Sequence, residues 1–208
     1  MIWDMRYSGF KSFDGMILYS SPNVGPKAVP GTYKVRLTYN NEVMLQDFEI
    51  LKDPRLSNTQ NDYLEQFNFL ISVRDQVSIA NQTIIDIRKI KKDLKYIVGK
   101  SSDKKQLLSL INEFSDKLSI IENKIHMTKN QSRQDPLNYG IRINNRLAFL
   151  MADSQRGDFP PTDQSIEFFK VIKEELNHEL ASLNKLLNTY VSQINNMIED
   201  NNIKFISF

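Results

Sequence analysis

The chain has 208 residues, of which 40% are hydrophobic and 25% charged, with a formal net charge of +2 and no cysteine. That length suits one large domain or two small ones, and the composition is ordinary for a globular protein. Near-balanced charge sets up no general field toward nucleic acid or anionic membrane, the lack of cysteine excludes disulfides and thiolate chemistry, and no apolar run approaches the roughly 20 residues that span a bilayer.

The opening MIWDMRY has neither the basic leader nor the apolar core of a signal peptide. Residues 2–7 and 16–20 read as short strands, joined by a Gly-containing loop and followed by the turn-rich SSPNVGPKAVPG. Residues 30–55, PGTYKVRLTYNNEVMLQDFEILKDPR, read as a tight β-hairpin ending in an Asp-Pro break. Asn40-Asn41 suits a two-residue primed turn, because Asn tolerates positive φ better than most residues. That turn pairs Tyr39 with Glu42, Leu37 with Met44, Val35 with Gln46 and Tyr33 with Phe48. One face then carries Tyr33, Val35, Leu37, Met44, Phe48 and Ile50, and the other sets Lys34 against Asp47. A slip of one residue would mix the two faces.

Four short strands with one apolar face need a second sheet or a helical layer. Residues 1–55 are therefore expected to be the C-terminal part of an immunoglobulin-like sandwich whose earlier strands lie outside the chain. A complete small sheet covered by helices is the alternative.

Residues 56–208 read as helix. Thr59 and Asp62 supply an N-cap and an acidic first turn, and Phe67, Leu70, Val73, Val77, Ala80, Ile84, Ile87, Leu94 and Val98 follow at three/four spacing, with one gap at Lys91, toward a stop at Gly99. A second helix carries the seam Leu107, Ile111, Phe114, Leu118, Ile121 and Ile125. Asp135-Pro136 reads as the N-cap and first residue of a third, with the stripe Leu137, Ile141, Leu147, Leu150 and Met151. Thr162 caps a fourth, striped by Ile166, Phe169, Leu176, Leu180, Leu183, Leu187, Tyr190, Ile194 and Met197. The tail IKFISF could pack back or add a strand. The expected fold class is α+β, mainly α: a short antiparallel β-segment over 1–55, then an up-down-up-down four-helix bundle over 56–208 with helices near 59–98, 102–127, 136–152 and 162–201.

Several motifs occur in a fixed order: Trp3-Asp4-Met5-Arg6-Tyr7, Gly15-Met16-Ile17-Leu18-Tyr19, Gly25-Pro26, Pro30-Gly31-Thr32-Tyr33-Lys34-Val35-Arg36-Leu37 and Asp53-Pro54-Arg55. This set resembles the region after the β-propellers in large bacterial proteins labelled glycosyl hydrolases, which carry Asp-box (BNR) or sortilin-like repeats. The first and fourth motifs also resemble Ig-like modules of flagellar hook-capping proteins and fibronectin type III modules. The resemblance implies a secreted, periplasmic or outer-envelope parent whose propellers hold any glycan site. No propeller repeat or Asp-box motif occurs in these 208 residues, so no catalytic role carries over to any residue.

Candidate sites are few. Glu175-x-x-His178 has the spacing of di-iron bundles, but it occurs once, and Glu122 and His126 have a different offset. Both histidines fall off the apolar seams and are expected to be solvated, with no metal site. Arg88, Lys89, Lys91, Lys92 and Lys95 are interleaved with Asp86 and Asp93, so they read as a solvated helix face and not a nucleic-acid site. Asn144, among Arg142, Asn145 and Arg146, reads as a buried amide that fixes register, so Asn144→Leu is expected to raise thermal stability. Trp3 is expected in the core under Tyr33 and Phe48, with a sugar-stacking platform as the alternative. Glu174 and Glu175 point to different helix faces and do not form a glycosidase pair. No catalytic residue, cofactor or metal is assigned. The expected function is a non-catalytic C-terminal structural or interaction module whose partner is the propellers of its own parent chain or another protein. A stand-alone helical adaptor that binds a partner helix in a groove is the alternative.

Overall fold

The computed structural model describes residues 2–101 and 103–201. It is mainly helical, with one two-stranded antiparallel sheet and five helices among the described residues. These are β1 (Gly31–Tyr39), β2 (Glu42–Ile50), α1 (Gln60–Lys100), α2 (Lys105–Ile125), α3 (Pro136–Tyr139), α4 (Ile143–Ser154) and α5 (Asp163–Asp200). No described helix is long and apolar enough to cross a membrane. The IKFISF tail lies outside the described residues.

The hairpin has the register that its alternation requires: Tyr39 faces Glu42, Leu37 faces Met44, Val35 faces Gln46 and Tyr33 faces Phe48. Asn40 and Asn41 both take positive φ, 47° and 67°, as a primed turn demands. Only the base is anchored. Tyr33 and Phe48 stack with centroids 5.8 Å apart, Trp3 lies 6.0 Å from the first ring and 6.1 Å from the second, and the Tyr33 hydroxyl donates to the Val29 carbonyl. Farther out, Val35, Leu37 and Met44 are more than half exposed. Neither strand packs along a helix.

Residues 2–7 and 16–20 are not strands; the N-terminal segment makes a single isolated bridge, Arg6 to Lys27. It forms a strap that runs out along α1 and back. Tyr7 packs on Phe67, the Lys11 amide donates to Ser78 Oγ, and Arg88 reaches the Asp14 carbonyl. On the return, the Asn23 side chain bonds both the amide and the carbonyl of Phe10, taking the place of a neighbouring strand. Gly25 permits this closeness, since a Cβ there would overlap the Tyr7 carbonyl. The apolar residues of the strap serve helices instead of a sheet: Phe10 is 4% exposed within the main core, and Phe13, Met16 and Leu18 pack against it. Truncating this ring, Phe10→Ala, is expected to cost about 3 kcal/mol of global stability in denaturant unfolding followed by far-ultraviolet circular dichroism. A loss below about 1 kcal/mol would place the strap outside the core.

Helix α1 starts where its chemistry says it should. Thr59 Oγ1 accepts from the Asp62 amide at 3.2 Å while Asp62 Oδ2 accepts from the Thr59 amide at 2.7 Å, a reciprocal capping box. Thr162 likewise accepts from the Ser165 amide to open α5. The stripes of α1, α2 and α5 supply most of the core, and all six seam residues of α2 are buried.

The third predicted helix is broken. Gly140 turns left-handed with φ 76°, which ends the single turn α3 and separates it from α4. Leu137 and Ile141, counted into its stripe, are exposed at 62% and 42%. Asp135 does not cap α3; its carboxylate accepts from the Gln131 and Ser132 amides and closes the preceding turn. The break also changes the architecture. Glu122 of α2 pairs with Arg88 and Lys91, Asn144 of α4 bonds Asn81, and Gln66 bonds the carbonyl of Ser154, so α2 and α4 descend α1 one after the other. Helix α5 then returns beside both, through Arg146–Glu175, Lys124–Glu179 and the stacked Phe114 and Tyr190 rings. Three columns with a broken middle one replace the expected up-down-up-down order, because α4 continues α2 instead of reversing it.

Candidate functional site

The polar centre of the molecule lies where the middle column breaks. Asn81 of α1 and Asn144 of α4 are fully buried, and His126, just past the end of α2, is 2% exposed. Asn144 Nδ2 donates to Asn81 Oδ1 at 3.0 Å and to His126 Nδ1 at 3.2 Å, while Asn81 Nδ2 donates to the Lys11 carbonyl at 2.6 Å. One amide relay thus joins α1, α4, the loop after α2 and the strap. Asn145 adds a second link, accepting from the Tyr19 amide and donating to its carbonyl.

The expectation that His126 is solvated is wrong, and the reason is local. The α2 seam predicts burial only while the helix continues, and His126 takes extended φ and ψ of −136° and 139° at its end. Its ring meets Phe13 edge to face at 5.0 Å. Burial, helped by the Arg88 charge, pushes its pKa down from 6.5 to about 4. Accepting the Asn144 donor at Nδ1 places the proton of the neutral imidazole on Nε2. His178, by contrast, is exposed on α5.

Glu122 is 4% exposed and is held by Arg88 Nε at 2.8 Å and Lys91 Nζ at 3.0 Å. Burial alone would raise its pKa; the two cations and their hydrogen bonds outweigh it and hold the carboxyl below its ordinary value. Arg88 also lies over the Phe13 ring, 4.8 Å from its centroid, so one guanidinium ties the strap to α1 and α2. These contacts commit Glu122 to cations, and Glu175 is committed to Arg146 by hydrogen bonds of 2.5 and 3.0 Å. Among the described residues no group of three or more His, Cys, Asp or Glu is placed to hold a metal ion. Glu174 and Glu175 both border a depression with His178 and Arg142, although the sequence sets them on different faces.

A cavity of about 300 Å³ lies at the hairpin base, between the strap and α1. Its wall includes Arg6, Lys27, Asp53, Tyr63 and Asp158, with Lys27 and Asp158 paired at 2.8 Å. The Tyr63 hydroxyl is buried without a hydrogen-bond partner among the described residues. Neither histidine borders this space, so it pairs no nucleophile with an imidazole base. Apolar side chains, among them Val29, Ile50, Leu51, Phe67 and Leu70, line the rest of it.

Trp3 lies against Tyr33 and Phe48 as expected but is 40% exposed, with its indole N–H donating to the Arg6 carbonyl at 2.9 Å. Sequence reasoning found Asn144 and passed over Asn81. The signal was present: position 81 falls between Val77 and Ile84 at four/three spacing, which makes it a polar residue on an apolar seam. Asn23 and Gln66 act across long sequence separations and leave no such trace. Comparison of the chain with family models, with curated proteins and with solved structures finds no match.

Proposed function

We propose that this chain is a non-catalytic structural and interaction module, the C-terminal part of a propeller-bearing exported protein of the glycosyl-hydrolase-labelled kind. Its hairpin would complete an Ig-like sheet whose other strands come from the parent polypeptide. The observation that carries this reading is the uncovered hairpin: Val35, Leu37 and Met44 present an apolar face that no described helix covers. A two-stranded hairpin gains too little in water to stand alone, and its open edges are templates for further strands. The polar centre supports the non-catalytic part, since its side chains bond one another and hold elements together.

The reading makes the distal hairpin dispensable for the helices. Leu37→Lys combined with Met44→Lys is expected to change the unfolding free energy of the chain by no more than about 1 kcal/mol. A loss of several kcal/mol would make the hairpin part of the core and sink the proposal. The genomic reading frame upstream of residue 1 is expected to continue into Asp-box blades. Glycosidase turnover by the purified chain on aryl glycosides, abolished by a point substitution, would overturn the non-catalytic assignment.

A further inference from the structure

Arg88 stands three and four residues before Lys91 and Lys92, and these stand four and three before Lys95, so all four rise along one face of α1. By sequence these cations read as a solvated helix face; in the structure all four border the groove between α1 and α2. The facing wall of α2 is neutral, with Asn112 and Ser115, over a floor of Leu94 and Ile111. Glu122 is the carboxylate that pairs with this stripe, taking Arg88 and Lys91. Lys92 and Lys95 are exposed and form no ion pair among the described residues. Like charges three and four apart repel and weaken a helix. Here they do so on a face where α2 offers no second acid.

We propose that this groove docks an acidic helical segment of a protein partner. A groove between two helices accepts a third by ridge-and-groove packing. Acidic side chains three and four apart on such a helix repeat at about 5–6 Å, the spacing of the cations below them. The half-buried Val98 on the same wall offers an apolar contact. Nucleic acid fits less well, because the stripe from Arg88 to Lys95 extends only about 10 Å and phosphate-driven binding rests on roughly 6–10 contacts. The groove lies about 40 Å along α1 from the hairpin end, so it is independent of the hairpin's role.

The test uses the whole chain and a fluorescein-labelled helical peptide of about 18 residues, with glutamates three and four apart and leucines beside them on the same face. Fluorescence anisotropy compares it with a composition-matched scrambled peptide and with oligothymidylate of similar length. Saturable binding of the patterned peptide is expected, weakening about tenfold or more in Lys92→Glu/Lys95→Glu and weakening with salt. Both lysines are exposed and outside ion pairs, so the variant is expected to keep its melting temperature. The neutral variant Lys92→Gln/Lys95→Gln is expected to fall between wild type and reversal. Absence of saturable binding, equal binding of the scrambled peptide, unchanged affinity in the reversed variant, or tighter binding of oligothymidylate would each overturn the proposal.

Discussion

Acidification from pH 7 to pH 4 is expected to remove about 3 kcal/mol of stability through His126, whose imidazole is pushed down from 6.5 to about 4 in the fold. The sign follows from which state binds the proton. Between pH 6.5 and 4 the unfolded chain takes up a proton that the folded chain refuses, so stability is complete above that window and is lost as pH falls through it. The cause is structural: the ring is buried, with Phe13 packed edge to face on it, and the nearby Arg88 charge disfavours a second cation. The measurement is urea unfolding at half-unit steps of pH. In His126→Leu the slope across this window should flatten, even though that variant is less stable throughout. Glu122 contributes in a different range. Its carboxyl is held below its ordinary value, so its contribution is present above the ordinary carboxylate range and is lost only as pH falls through its depressed folded value. An unchanged slope in His126→Leu would show that other groups govern the acid response.

Asn144→Leu is expected to destabilise the protein by about 3 kcal/mol, the reverse of what the sequence suggests. A lone amide on an apolar stripe can be exchanged for leucine with a gain, because only its own desolvation is at stake. Asn144 is not alone. Its amide group serves both Asn81 Oδ1 and His126 Nδ1, and leucine would leave two buried acceptors without a donor. Replacing the whole relay, as in Asn81→Leu/His126→Leu/Asn144→Leu, should recover much of that loss, since of the relay's partners only the Lys11 carbonyl then loses its donor. Thermal and denaturant unfolding of the single and triple variants checks this. A single variant more stable than wild type would mean that the relay contributes no stability.

The hairpin register was legible because alternation has a period of two, and Asn40-Asn41 admits only one turn geometry that keeps Tyr33 and Phe48 on the same face. Helix starts at Thr59 and Thr162 were legible for a similar reason, since a cap acts on amides two or three residues away. The strap was misread as strands. Trp3, Met5 and Tyr7 alternate and residues 16–19 form an apolar run, but neither pattern requires that the covering surface be a sheet. Residues 136–152 were misread as one helix because Leu137 and Ile141 complete a plausible stripe, while Gly140 breaks the backbone between them and the rest. His126 was placed in solvent by a helical wheel that no longer applies once the chain leaves the helix.

By itself, then, the sequence determined what depends on near neighbours: three long amphipathic helices, the caps of two of them, and a hairpin paired residue by residue. Only the tertiary structure decided what depends on distant ones. It set α4 to continue α2 instead of reversing it, laid residues 5–28 against α1, and brought Asn81, His126 and Asn144 into one hydrogen-bonded relay. The physical reason is range. Turn, cap and periodicity preferences act over a few residues, whereas a buried donor must find its acceptor wherever packing puts it, here 63 and 18 residues away.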